Sequence, residues 1–172
     1  MAANLGAPVD VTTVLGNLLD NAIEAAREQA AAGGTDVAPA PECGTDEPPV
    51  VEVELVQEGE TLHLTVADSG AGVAVDLVDS VFSEGVSTRS GSGVPGGRGV
   101  GLALSRQVAR ARGGEVWLAH PGGGAVSSVE PDGSGPVAAT GRAAEKPLRG
   151  AEFIARLPGA LTEGEPAWAE QK

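Results

Sequence analysis

From Asp10 to Ala32, apolar residues recur at spacings of three and four. Val11, Val14, Leu15, Leu18, Ala22 and Ala25 or Ala26 form the stripe of an amphipathic helix. Asp10 is placed to cap its start and Gly33-Gly34 to stop it. The period then shortens to two. Val51, Val53 and Leu55 alternate with Glu52 and Glu54, and Leu62, Leu64 and Val66 alternate with His63 and Thr65. These runs predict two half-buried strands joined across Gln57-Glu58-Gly59-Glu60 as an antiparallel hairpin, with His63 facing outward into solvent. Val75 to Phe82 predicts a short helix. Val100 to Arg112 predicts a second long one, closed by Gly113-Gly114, with Arg106, Arg110 and Arg112 in the half that suits cations. Glu115 to Ala119, followed by His120, and Glu152 to Leu157 read as two more strands. Segments 35–49 and 122–149, rich in Gly, Pro, Ser and Ala, predict flexible insertions, Ser83 to Gly97 a glycine/serine loop, and 159–172 a mobile tail. Helices and antiparallel strands in this order predict an α/β two-layer sandwich (α+β) with the helices on one face.

A chain of 172 residues suits a single domain. Aromatic residues are confined to Phe82, Phe153, Trp117 and Trp168, so Val, Leu, Ile and Ala must build the core. Twenty-four acids against eleven bases give a net charge of −13, which repels phosphate backbones and anionic membranes and argues against roles on either. Cys43 is a single cysteine, so neither an internal disulfide nor a cysteine-cluster zinc site can form. The first ten residues lack the basic and apolar regions of a signal peptide, and no apolar run approaches the ~20 residues that span a bilayer. A soluble, cytoplasmic chain is expected.

Four features can carry chemistry. Asn17 and Asn21 lie one helical turn apart, so both amides share one side of the first helix. Asn is a poor helix former, and two of them beside Gly16 weaken the helix without a packing reason. They are either a solvated face or a pair of neutral oxygen ligands. Asp68-Ser69-Gly70-Ala71-Gly72-Val73 follows a strand directly. An ionised Asp only accepts hydrogen bonds, so it would pair with an amine and reject a carbonyl, the distinction between adenine and guanine. The plainer reading is a turn that Asp caps. Gly96-Gly97-Arg98-Gly99-Val100-Gly101-Leu102 leads into a helix whose unpaired amides, with Arg98, suit phosphate. The G-x-G-x-G spacing without a strand immediately before it is not the dinucleotide fingerprint, and no P-loop is present, since both Lys146 and Lys172 lack the preceding glycine. Phe82-Ser83-Glu84-Gly85-Val86-Ser87-Thr88-Arg89 has the composition of a flap over a polyanion, or of an ordinary surface loop.

In this order the four strings resemble the ATP-binding catalytic domain of sensor histidine kinases, within the superfamily that also includes gyrase, Hsp90-type chaperones, MutL proteins and anti-sigma-factor kinases. Leu15 to Ala26 is similar to the N box, Asp68 to Gly72 to the first glycine box, Phe82 to Arg89 to the F box and lid, and Arg98 to Leu104 to the second glycine box. The wording of the lid is most similar to the citrate/fumarate-sensing branch. The resemblance covers residues 10–119 and 150–158, the expected core, and implies a Bergerat-type fold with a mixed, mostly antiparallel sheet, and ATP with Mg²⁺ as cofactors. It implies that Asn21 coordinates the metal and Asn17 supports metal or phosphates. Asp68 would read the adenine amine in a pocket shaped by Gly70, Gly72 and Val73, with Leu102 near the base. Arg98 and the backbone of Gly99, Val100 and Gly101 would hold phosphates, and Thr88 and Arg89 would close the lid. The partners implied are a histidine-bearing dimerisation domain, on this or another chain, and a response regulator.

Members of the superfamily that hydrolyse ATP or phosphorylate serine carry a glutamate where this chain has Asn17, and a neutral amide cannot act as a general base. Transfer to histidine, already nucleophilic when neutral, needs less such help, so Asn17 and Arg98 are the expected catalytic groups, acting by position and charge. No phosphoacceptor helix surrounds His63 or His120, and the dimerisation segment and the strand and helix expected before the N box are not evident. Glu24 stands where many members have a lysine. Two other readings stay open: a nucleotide-binding module that docks a partner, and a serine kinase or ATPase of the same fold.

Overall fold

The structure, a computed structural model, describes residues 3–32, 48–83, 85, 99–122 and 148–163. The chain runs β1 (Ala3–Leu5), α1 (Pro8–Ala32), β2 (Val51–Glu58), β3 (Thr61–Asp68), a 3-10 turn (Val75–Leu77), α2 (Gly101–Ala111), β4 (Glu115–His120), β5 (Glu152–Leu157) and β6 (Leu161–Glu163). Four strands form one sheet in the order β2-β3-β5-β4, and β1 pairs with β6 in a second. Every pairing among these strands is antiparallel. The α/β sandwich expected from the hydrophobic pattern is the architecture observed.

α1 buries Val11, Val14, Leu18, Ala22 and Ala26, the stripe of three- and four-residue spacing. It begins two residues earlier than expected, at Pro8, because proline's fixed φ suits a first helical position. Asp10 is therefore inside the first turn and does not cap it; its carboxylate receives Arg112 Nη1 at 2.8 Å. The two glycines expected to stop the helix lie outside the described residues. α1 packs over β3, whose Leu62, Leu64 and Val66 meet Phe153, Ala155 and Leu157 of β5 in the core.

The hairpin forms with a tighter turn than expected. Gln57 and Glu58 belong to β2 and pair with Leu62 and Thr61, leaving Gly59 and Glu60 as the connection. β2 is also not half-buried. It is the sheet edge, Val51 alone of its residues packs on the core, and Val53 and Leu55 are 40% and 55% exposed. His63 is less solvated than expected: its side chain is 16% exposed and its Nε2 stands 3.2 Å from Glu58 Oε2.

Val75 to Phe82 does not form an α-helix. Its amides bond three residues back, Leu77 to Ala74, Ser80 to Leu77 and Ser83 to Ser80, which gives one 3-10 turn and further turns that place Val81 and Phe82 on the core. α2 ends as expected at the two glycines, where Gly113 N donates to Arg110 O and Gly114 N to Ala109 O in a Schellman motif.

The largest departure is the pairing of the two ends. Leu5 pairs with Leu161 and Asn4 with Thr162, so a short strand does precede α1 and residues 159–163 are not a loose tail. Gly6 N donates to Ala160 O at 2.9 Å and Leu161 N to Glu60 O at 3.0 Å, while Ala160 and Leu161 are buried. Arg112 pins the intervening bend, donating from Nε to Pro158 O and from Nη2 to Gly159 O. Segments 33–47 and 123–147, which hold most of the two expected insertions, lie outside the described residues.

Candidate nucleotide site

Asn17, Asn21 and Ala25 succeed one another at one-turn intervals along α1, and different parts of the chain dock on the two ends of that row. At Asn17 it is the start of α2. Asn17 Nδ2 donates to Ser105 Oγ at 3.1 Å, and Ser105 Oγ donates to Gly101 O at 2.8 Å. Ser105 is fully buried, and a Cβ on Gly101 would already stand 3.4 Å from Asn17 Oδ1. At Ala25 it is the exit of β3. A Cβ on Gly70 would lie 2.8 Å from both the Ala25 Cβ and its backbone carbon, so only glycine lets this loop close on the helix. Between the two contacts, Asn21 Nδ2 is buried and has no hydrogen-bond partner among the described residues. A buried polar atom left unpaired costs stability, and its persistence points to a group that completes it. A half-turn of the carboxamide puts its oxygen in the same place, where it would accept from or ligate a bound group.

Asp68 ends β3 and is 2% exposed. Burial pushes its carboxyl above the ordinary value, and the backbone amides of Gly70 and Ala151 pull in the opposite direction. The Gly70 amide donates to Oδ1 at 2.7 Å. Gly150 N donates to Asp68 O at 2.9 Å, and Asp68 N to Ala151 O at 3.1 Å. Gly150 lies so near that a side chain there would collide with Asp68 and Gly70. The carboxylate is thus held in one orientation by bare backbone. Asp68 and the asparagine row are joined through Gly70 and Ala25 on one side of the molecule.

The remaining expected residues divide. Gly72 turns the loop at φ 81°, and Val73, packed at the core edge, donates from its amide to Pro121 O at 2.6 Å. Gly99 has φ 86° and accepts the Gly85 amide at 3.1 Å. Val100 precedes α2 and is 40% exposed, whereas Leu102 packs against the core. Thr88, Arg89 and Arg98 lie outside the described residues. Gly150, Ala151, Ser105 and Ala25 were missed. Only Ser105 carried a sequence signal, a hydroxyl on the inward stripe of a helix. Among the described residues no cluster of three or more His, Cys, Asp or Glu side chains is present. An open hollow of about 320 Å³, lined by Ile23, Ala26, Arg27, Pro49 and Val51, lies at a different face of α1.

A family model described as "Histidine kinase-, DNA gyrase B-, and HSP90-like ATPase" matches residues 6–160, and the chain belongs to that family. Its relatives include sensor histidine kinases of Escherichia coli. DpiB is 36% identical over 110 residues and DcuS 36% over 104, matches that cover 63% and 60% of this chain. The sensor protein CitS of Halalkalibacterium halodurans is 31% identical over 108 residues. These relatives support the resemblance to the catalytic domain of citrate/fumarate-type sensor kinases. The chain spans only 15–17% of their length. Among solved structures, the mycobacterial sensor histidine kinase MprB aligns with a TM-score of 0.52 at 22% identity, covering 91% of this chain and 77% of that one. Full-length ShkA in complex with AMPPNP aligns at 0.50 and 20%, covering 90% of this chain and 22% of that one. They establish a shared fold. No helix among the described residues is long and apolar enough to cross a membrane.

Proposed function

We propose that this chain binds Mg-ATP and donates the γ-phosphoryl group to a histidine on a dimerisation domain, as the catalytic part of a two-component sensor kinase. In the reaction, the bond from the γ-phosphorus to the bridging oxygen breaks, a phosphorus–nitrogen bond forms to imidazole, ADP leaves, and the imidazole proton passes to solvent. A response regulator would take the phosphoryl group next. The observation that carries this reading is the neutral Asn17 at the position facing α2. Its Nδ2 is committed to Ser105, which leaves its oxygen to orient a ligand, and a neutral carboxamide removes no proton.

The other residues take binding roles. Asp68, fixed by the amides of Gly70 and Ala151, accepts from the adenine amine, and Gly70, Gly72 and Val73 shape the space around the base with Leu102 beside it. With its amide turned so that the oxygen takes the place of the unpaired Nδ2, the Asn21 carboxamide fits a divalent ion held with phosphate oxygens, and Asn17 supports it. When bound, Mg²⁺ neutralises phosphate charge as the transition state develops. The amides around Gly99, Val100 and Gly101, with Arg98, Thr88 and Arg89, hold the phosphates. Catalysis is by position and charge.

The test mixes the full chain with γ-labelled ATP, Mg²⁺ and a separately produced histidine-bearing dimerisation domain from the same genome. The expected result is acid-labile, alkali-stable label on that domain. Acid-stable label would favour a serine kinase. Steady phosphate release by the chain alone would favour an ATPase. Tight ATP binding with no transfer to any such domain would leave a nucleotide-binding docking module.

A further inference from the structure

Phe82 lies between two groups that hold it from different sides. The Arg106 guanidinium carbon sits 4.8 Å from its ring centroid, and the Phe153 ring meets it edge-on at 6.1 Å and 88°. Arg106 is itself fixed, because its Nε donates to Glu115 Oε1 at 2.7 Å while Arg110 Nε takes the other oxygen at 2.9 Å. Three residues beyond Phe82, the Gly85 amide donates to Gly99 O at 3.1 Å. Gly99 forms the left-handed turn that leads into α2, and Arg106 projects from that same helix. A closed circuit results: α2 holds Phe82, and the segment after Phe82 holds the turn that starts α2. A salt bridge that only decorated the helix surface would need no aromatic ring between its cation and the core.

We propose that Arg106 is a positioning residue for the phosphate end of the nucleotide site, acting through Phe82 and Gly85 on the glycine turn Gly99–Gly101. The inference rests on the nucleotide-binding reading above. Arg106 touches no nucleotide; it determines where the Gly99–Gly101 backbone presents its amides. The adenine end, built on Asp68, Gly70 and Gly150, is not part of the circuit.

The experiment compares Arg106→Gln, Arg106→Lys, Phe82→Leu and the double variant Arg106→Gln/Phe82→Leu in the full chain. The first measurement is amide hydrogen exchange of Gly85 and of residues 99–104 without nucleotide. Arg106→Gln is expected to speed exchange there and leave β3 and β5 unchanged, and Arg106→Lys is expected to restore most of the protection. The second is competition titration with Mg-ATP and with adenosine. Arg106→Gln is expected to lose roughly five- to tenfold in ATP affinity, within the range for a lost cation–π contact, while adenosine affinity stays the same. Adding Phe82→Leu to Arg106→Gln is expected to cost little more than either alone, since both break one circuit. Unchanged exchange at Gly85 and Gly99 overturns the proposal. So does an equal loss for ATP and adenosine, which would mark a general loss of folding, or full additivity of the two substitutions. A parent chain that binds neither ligand counts against the nucleotide reading instead, and the exchange measurement then decides the circuit by itself.

Discussion

Replacing Gly150 with alanine probes how tightly the Asp68 carboxyl is held. The new methyl would stand 2.5 Å from Asp68 O and 2.6 Å from Gly70 N, and closer still to Asp68 Oδ1. Ordinary contact begins near 3.4 Å, so the backbone gaps must open by about 0.9 Å. Asp68 O and Gly70 N are main-chain atoms and cannot swing aside. The carboxyl oxygen can move only by releasing the Gly70 amide, bonded to it at 2.7 Å. Moving residue 150 instead strains its own bond to Asp68 O, 2.9 Å long. Each buried group left unpaired costs about 1–3 kcal/mol, so Gly150→Ala is expected to destabilise the chain by about 2–5 kcal/mol. Urea unfolding gives the stability, and titration with a fluorescent ATP analogue, at a urea-free temperature where the variant is folded, gives the affinity. Both should fall. A variant within about 0.5 kcal/mol of the parent, with parental affinity, would refute the reasoning, because the carboxylate could not then be clamped as described.

Gly16→Ala is the opposite case: nothing lies within 4 Å of the position a Cβ would take in mid-α1, and thermal or urea unfolding should show stabilisation of about 0.5–1 kcal/mol. A loss of stability would mean that the helix is not built as described there. Arg112→Ala removes the bonds to Asp10, Pro158 O and Gly159 O, with an expected cost of about 1–3 kcal/mol and faster amide exchange at Gly6 and Leu161, where β1 and β6 meet the core. Parental exchange at those two amides would contradict the pinning role. Asp68 also sets a pH dependence. Its folded pKa is raised above 3.8 by burial, so the folded chain binds that proton more tightly than the unfolded chain. Its contribution is therefore greatest below pH 3.8 and is lost as pH rises through the folded value. Glu115 has the opposite sign: burial alone would raise it, but hydrogen bonds from Arg106 and Arg110 bring it below 4.5, so its contribution is lost as pH falls. The difference between parent and Asp68→Asn in stability against pH isolates the Asp68 part, and a flat difference across that window would contradict the raised pKa.

Much of the fold could be read where burial and period coincide. Val11, Val14, Leu18 and Ala22 announce α1 because a helix facing a core needs apolar groups at that spacing, and β5 matches its expected range, Glu152 to Leu157, to the residue. β2 shows the limit of that logic. Its alternation matches that of β3, yet Val53 and Leu55 stay open, because β2 is the edge of the sheet and burial depends on a strand's neighbours in the assembled fold. β1 and β6 were not legible: strands of three residues carry too little period to detect, and the partners sit at opposite ends of the chain. At the site, Asn17, Asn21 and Asp68 stood out because their chemistry is unusual for where they sit. Gly150, Gly70 and Ser105 did not, because small residues act through what they allow to come close. That is a property of the assembled fold. The link from Phe82 to Arg106 was hidden for a different reason, since two ordinary residues become a unit only when the turn after β3 brings them together.

Direct titration of the parent chain with ATP and with inosine triphosphate, each with Mg²⁺, separates a ligand that carries the six-position amine from one that carries a carbonyl there. A buried acceptor-only carboxylate at Asp68 should favour ATP by about tenfold or more, and Asp68→Asn should remove most of that preference. Equal affinities of the parent for the two nucleotides would contradict recognition of the base by Asp68.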